Sequence, residues 1–209
     1  MDNKLRSCKI YDLSVRKTKG FFGANLIVHR SGFFQWHGLK TIGSGLNEGY
    51  INVSMSSFLV EKSNPLERYV YCVEEIIGKE EMTNMYKKSD LYGIVTKLCR
   101  YSNYNEVYDF LKNLDKIHDL MPERQTYGLS TKKALVFCTA CEEINYFLAH
   151  QFASIIAEKK VVQRIKDDYA LSLSNYYASL IEPFEQSEYN EEIIGQVRYL
   201  VRNKILIYK

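Results

Sequence analysis

The periodicity of the sequence changes at residues 64–78, NPLERYVYCVEEIIG. Asn64 is a residue type that commonly caps helix N-termini, and Pro65 then takes the first helical position, where its missing N–H costs nothing. Glu67 stands three residues after Asn64, which is the spacing of a capping box. Apolar residues recur at helical spacing as far as Gly78, which can adopt the left-handed conformation that ends a helix. We therefore predict a helix that begins at Pro65.

Helical periodicity continues after this segment. Two patterns, over residues 91–98 and 107–117, precede Pro122, and we expect the proline to end the second of them. The longest predicted helix starts at Ser130, which has N-cap chemistry, and continues to about Glu158. Apolar residues cover most of its circumference, so we expect it to be the central helix of a bundle.

The C-terminal region carries two further helical patterns. The first spans residues 162–180 and ends before Pro183, and the second is predicted to be capped by Asn190. The tail, residues 205–208, has the composition of a short strand.

Residues 1–62 show β-type runs separated by turn signals. The three runs are 21–30, 32–37 and 49–60. In the last run, apolar Ile51, Val53 and Met55 alternate with polar residues, a pattern typical of a half-buried strand. Gly43-Ser44-Gly45 lacks the lysine of a phosphate-binding loop and precedes this run, so we predict a hairpin turn there.

The predicted fold class is α+β. A small N-terminal antiparallel β-sheet occupies residues 1–62, and a bundle of five to six helices follows in residues 63–209. No low-complexity linker separates the two parts, so we expect them to pack as one unit.

The composition excludes several classes of protein. The chain has 209 residues, of which 46% are hydrophobic and 25% charged, which is typical of a globular protein. No run approaches the roughly 18–20 apolar residues of a membrane span, and no apolar segment of a secretory signal follows the N-terminus. The five cysteines are odd in number, which favours free thiols in a reducing compartment, so the expected location is cytoplasmic.

The candidate motifs for metal binding and catalysis lack the spacing or the structural context that these functions require. Cys138-x-x-Cys141 lies inside a predicted helix, with no second cysteine pair and no His-x3–5-His, so we interpret both as core cysteines. Asp115 and His118 stand three residues apart, but no second copy completes a di-iron site. No G-x-S-x-G motif is present. We therefore assign no catalytic residue, no metal and no cofactor.

A basic, aromatic N-terminal region indicates a partner. Residues 1–64 contain nine Lys/Arg and four Asp/Glu, whereas residues 65–209 contain nineteen and twenty-one. Exposed aromatic rings beside cations hold single-stranded nucleic acids, so we predict a surface that binds nucleic acid or an acidic protein. The candidate binding residues are Arg16, Lys17, Lys19, Arg30, Phe34, Trp36 and His37. Alternatively, the rings form a core against the helices and the cations protect a sheet edge.

Seventeen tyrosines account for most of the aromatic residues. Most of those after Asn64 are assigned to the helical part of the chain, and we interpret them as half-buried positions on the faces of the bundle, with homo-oligomer contacts as the other explanation. This group includes Tyr69, Tyr71, Tyr86, Tyr92, Tyr101, Tyr104, Tyr108, Tyr176 and Tyr177.

One helix carries a family resemblance. Residues 130–148, STKKALVFCTACEEINYFL, resemble the central helix of HEPN-type domains, which occur in bacterial toxins and phage-defence proteins. Members of that family that cut RNA carry an Arg-x4–6-His motif at a helix start, and the match to that spacing here is Arg30 to His37, inside the predicted sheet. The resemblance therefore implies an inactive or non-nuclease member. The alternative function is an RNA-directed enzyme or toxin that uses Arg30, His37 and His118.

Overall fold

The computed structural model describes residues 35–37, 40–56, 65–126, 128–163, 166–181 and 189–207. These ranges contain eight helices and a two-stranded antiparallel hairpin. In chain order the elements are β1 (Gln35–His37), β2 (Lys40–Ile42), α1 (Ser44–Ser56), α2 (Pro65–Ile77), α3 (Lys79–Lys88), α4 (Leu91–Leu98), α5 (Tyr104–Thr126), α6 (Thr131–Gln163), α7 (Asp167–Ile181) and α8 (Tyr189–Ile207). The predicted α+β class is wrong, because the described part of the chain is an all-α bundle with one hairpin of two three-residue strands.

Helix α1 is the main departure from the predicted sheet. It runs from Ser44 to Ser56, through most of the run that we predicted as the third strand. Leu46, Tyr50 and Val53 are buried at intervals of four and three residues, which is the repeat of one helix face. This burial against α2 and α5 outweighs the local alternation of polar and apolar residues. The predicted run 21–30 lies outside the described residues.

The core is organised around α6, as its apolar circumference predicts. This helix packs against α5, α7 and α8, and α2 packs against α1 and α7. Phe152 of α6 is fully buried and stacks on Tyr177 of α7, with 4.3 Å between ring centroids. Phe110 of α5 stacks in the same way on Phe147 of α6 at 4.5 Å. The aromatic side chains therefore join three helices through α6.

Several predicted helix boundaries are confirmed. Helix α2 begins at Pro65, and Gly78 follows its end with a φ of 102°, a value that favours glycine, but its ψ of 133° differs from the left-handed helical conformation that we expected. Its predicted N-cap, Asn64, lies outside the described residues. Helix α4 occupies the predicted 91–98, capped by Asp90 through the Gly93 N–H, and α6 follows Ser130 as expected.

Other boundaries are wrong. Helix α5 continues through Pro122 to Thr126, where the Arg124 guanidinium lies 4.8 Å from the Phe137 ring centroid and ties the last turn to α6. Helix α8 includes 205–207, predicted as part of a strand. Its buried residues Ile193, Val197 and Val201 recur every four positions, and residue 205 continues that spacing. Helix α3 was not predicted, because its apolar face is narrow.

Candidate functional site

Most of the predicted binding residues lie outside the described part of the chain. These are Arg16, Lys17, Lys19, Arg30 and Phe34. Trp36 and His37 belong to β1, where Trp36 pairs with Thr41 and His37 with Lys40 of β2. The hairpin is therefore the first described element, and residues 1–34 precede it in the sequence.

The hairpin is anchored to the bundle by a carboxylate. Asp115 of α5 accepts hydrogen bonds from the Gly43 N–H at 3.0 Å and from the Gly45 N–H at 2.7 Å. The first N–H groups of a helix have no partner within it and carry a partial positive charge. Asp115 therefore acts as a cap for α1 supplied by another helix. The Gly43–Gly45 cluster is a helix N-terminus, and our prediction of a hairpin turn is wrong.

The two glycines are required by backbone geometry. Gly43 has a φ of 90°, a backbone angle that residues other than glycine rarely adopt. At Gly45, an added Cβ would lie 2.3 Å from the Leu114 carbonyl oxygen and 2.9 Å from the Asp115 nitrogen. The start of α1 therefore lies directly against the α5 backbone, which brings both N–H groups within reach of Asp115.

The Asp115 carboxylate has an unusual environment. Burial raises its pKa to about 6, against the opposing effects of the two N–H donors, and Asp119 raises it further. His118, one turn along α5, lowers this pKa. The His118 Nδ1 lies 3.5 Å from an Asp119 carboxylate oxygen. The anchor thus lies in a cluster of three titratable side chains on α5.

A second feature of α5 is an aromatic and cationic stripe, formed by Tyr104, Tyr108 and Lys112. The two rings stack with centroids 6.4 Å apart, and the Lys112 ammonium lies 5.2 Å from the Tyr108 centroid. Tyr104 is 59% exposed. Because Asp115 follows Tyr108 by seven residues, or two turns, the stripe and the anchor share one side of α5, about 10 Å apart.

This stripe was missed in the sequence, where the helical tyrosines were interpreted as half-buried. That interpretation is confirmed for some positions, since Tyr86, Tyr101 and Tyr108 are partly buried. Tyr71 and Tyr176 are also close to half-buried, at 41% and 47% exposure, whereas Tyr92 and Tyr104 are largely exposed, at 72% and 59%. Spacing of four residues between Tyr104 and Tyr108, with Lys112 four residues further, is the signal that could have identified the stripe.

The Cys-x-x-Cys motif lies inside α6, as predicted. Cys141 is partly buried against the core, but Cys138 is exposed, so the prediction of a core cysteine is wrong for Cys138. Buried Cys72 has a pKa raised by desolvation. Over the described ranges, no group of three His, Cys, Asp or Glu side chains has the arrangement of a metal site. None of the described helices is long and apolar enough to cross a membrane.

The fold and site define a helical bundle with an N-terminal hairpin anchored on α5, and comparison with known proteins adds one similarity. Over 95 residues the chain is 36% identical to human zinc finger protein basonuclin-1, a match that covers 44% of this chain and 8% of basonuclin-1. No protein-family profile matches the chain, and no solved structure matches it. The chain has no His-x3–5-His, so the shared segment is not a finger with the Cys2His2 spacing.

Proposed function

We propose that this protein binds nucleic acid through its basic N-terminal segment and the aromatic stripe of α5. The observation that carries this proposal is the division of charge along the chain. Residues 1–64 hold nine Lys/Arg against four Asp/Glu, while the remainder is slightly acidic. Clustered cations that neutralise phosphates release counterions, and this release supplies much of the affinity for nucleic acids.

The α5 stripe supplies the second element of such a surface. Bases stack on aromatic rings regardless of sequence, and a neighbouring cation strengthens the contact. Tyr104 offers an exposed ring, stacked on Tyr108 with Lys112 beside it. The hairpin, anchored on the same side of the helix, joins the basic segment to the bundle there.

The similarity to a zinc finger protein supports the same proposal. Zinc fingers are widely used modules for reading nucleic acids, so a relative named for them belongs to a class in which nucleic-acid binding is common. The similarity does not extend to finger spacing in this chain, so binding here uses other residues.

Binding is tested by fluorescence anisotropy with a labelled single-stranded oligonucleotide over a range of salt concentrations. We expect the logarithm of the affinity to fall linearly with the logarithm of salt. Replacing Arg16, Lys17 and Lys19 together by alanine should reduce that slope by about 2, because each phosphate neutralised on a single strand contributes roughly 0.7 to it. Absence of binding at low salt, or an affinity that salt does not change, would overturn the proposal.

Stacking is tested by separate Trp36→Ala and Tyr104→Ala variants. Each should weaken binding by about 1–3 kcal/mol, or roughly 5- to 150-fold, if its ring stacks on a base. Tyr92→Ala is the matched control, because Tyr92 is 72% exposed on a different helix, α4. An equal affinity for all three variants would refute a role for these rings.

We propose as a second candidate an RNA-directed enzyme with a HEPN-like helical domain. The observation that favours it is the anchor, because the hairpin that contains His37 attaches to α5 one turn from His118. The wild-type protein should then cleave labelled RNA, and His37→Ala or His118→Ala should abolish cleavage. Binding of RNA that remains intact would exclude this candidate and leave the first.

A further inference from the structure

The first half of α6 exposes apolar side chains that no described element covers. Leu135 is 67% exposed, Tyr146 is 55% exposed and Val136 is 41% exposed, although the opposite side of the same helix forms the core. Leu135 and Val136 are adjacent, and Tyr146 follows Leu135 by eleven residues, about 16 Å along the axis. Exposed apolar side chains on a helix whose other side is buried make that face a candidate interaction surface. We therefore examine which partner could cover the exposed side of this half-helix.

The spacing of the exposed residues matches a helix-pairing seam. The outer seam of α6 consists of Lys132, Leu135, Thr139, Glu142 and Tyr146, all of them exposed. Their separations of three, four, three and four residues place them on one face of α6, along which a second helix can pack, with Leu135 and Tyr146 as its apolar members. The expected occupant is thus another helix laid along α6.

The charges on the seam determine which helix fits. Lys132 lies at its start and Glu142 ten residues further, about 15 Å along the axis. A second copy of the same seam, laid antiparallel, places Lys132 of each copy opposite Glu142 of the other, whereas a parallel copy places like charges together. The neighbouring Glu143 already accepts a hydrogen bond from the Asn113 amide at 2.6 Å, so Glu142 is the carboxylate that this pairing uses.

We propose that a second copy of this chain docks on the outer seam, forming a two-fold symmetric antiparallel pair of α6 helices. In this register Leu135 of each copy contacts Thr139 of the other, and Tyr146 lies over the turn at Gly128. The interface is isologous, because the same patch serves both copies. Its four turns of helix bury less than the roughly 800 Å² per partner of a standard interface, so we expect a micromolar, concentration-dependent dimer.

The charge pairing makes a specific test possible with the full chain. Sedimentation velocity from low micromolar to several hundred micromolar should show a monomer–dimer equilibrium for the wild type. Lys132→Glu alone and Glu142→Lys alone should each weaken association at least tenfold, because like charges then face each other twice. Mixing these two variants should restore association, since every pair in the mixed dimer is again of opposite sign.

Controls separate this interface from a general effect of charge. Lys87→Glu makes the same charge change on α3, away from the seam, and should leave association unchanged. Leu135→Glu should abolish dimerisation while circular dichroism and thermal melting stay those of the wild type, because the side chain is exposed. A monomer at every concentration, or mixed variants that fail to associate while the wild type dimerises, would overturn the proposal.

Discussion

Replacement of Gly45 by alanine tests the contact that fixes the hairpin and α1 on α5. The added Cβ would lie 2.3 Å from the carbonyl oxygen and 2.4 Å from the carbonyl carbon of Leu114. Both atoms belong to the backbone of α5, so no side-chain rotation can relieve the clash. The start of α1 must therefore move away from α5 by about 1 Å to reach ordinary van der Waals distance.

The cost of this movement has two parts. Overpacking of a close contact costs about 1–3 kcal/mol. Displacement also lengthens the hydrogen bonds from Gly43 and Gly45 to Asp115, and a hydrogen bond to a charged group contributes about 1.5–3 kcal/mol. Alanine regains up to about 1 kcal/mol of helix propensity. We expect Gly45→Ala to lower the free energy of unfolding by about 3 kcal/mol.

The assay is urea denaturation followed by circular dichroism, with Gly195→Ala as the matched control. Gly195 lies within α8, and an added Cβ there meets no atom within 4 Å. The same substitution should therefore stabilise the protein by about 0.5–1 kcal/mol through helix propensity alone. If Gly45→Ala proves as stable as the wild type, or both variants shift stability equally, the close approach of α1 and α5 is refuted.

Single side chains carry three further predictions. Because the pKa of Asp115 is raised to about 6 from 3.8, the stability contributed by its protonated carboxyl group is present below pH 3.8 and is lost as the pH rises through 6. The difference in free energy of unfolding between wild type and Asp115→Asn should therefore fall by up to about 3 kcal/mol from pH 4 to 7. A difference that stays constant with pH would contradict the raised pKa. Phe152→Ala, which removes a fully buried ring stacked on Tyr177, should cost about 3–5 kcal/mol in urea denaturation, and a loss under 1 kcal/mol would argue against the central place of α6. The pKa of Tyr101 is raised to about 12, mainly by burial and next by the neighbouring Glu158 carboxylate. Glu158→Gln should lower this pKa in an ultraviolet absorbance titration. The free energy of unfolding should change by less than about 1 kcal/mol, because the contact between Tyr101 and Glu158 is partly exposed.

The helical half of the fold was predictable because its signals are local. Pro65 at a first helical position and Gly78 at a C-terminus act through their own backbone preferences, which tertiary packing did not override. The prediction of a turn and a strand failed around Gly45 and Gly49, where we interpreted the glycines as turn residues. At both positions an added Cβ would lie within 2.6 Å of another helix backbone, so the glycines serve close packing. Their four-residue spacing, with Leu46 and neighbours buried beside them, was the helical signal.

The anchor itself could not be predicted from local sequence. Asp115 lies seventy and seventy-two residues from the two N–H groups whose hydrogen bonds it accepts, and no short-range pattern links positions so far apart. Composition indicated the basic residues of the N-terminal segment, but not where that segment meets the bundle. The exposure of the α5 stripe could not be predicted for a different reason. Tyrosine occurs at both buried and exposed positions, so the residue type alone does not indicate which applies.

The balance at Asp115 links the stability of the fold to the proposed binding surface. Burial of the ionised carboxylate costs more than its two N–H donors return, which is why its pKa is raised. The carboxylate nevertheless fixes the point at which the chain enters α1, next to β2, which contacts α5. Because β1 and β2 directly precede α1, the same contact also positions the hairpin that follows the basic residues 1–34 in the sequence. We therefore expect that a loss of the anchor would weaken the proposed nucleic-acid binding without removing any cation of the N-terminal segment.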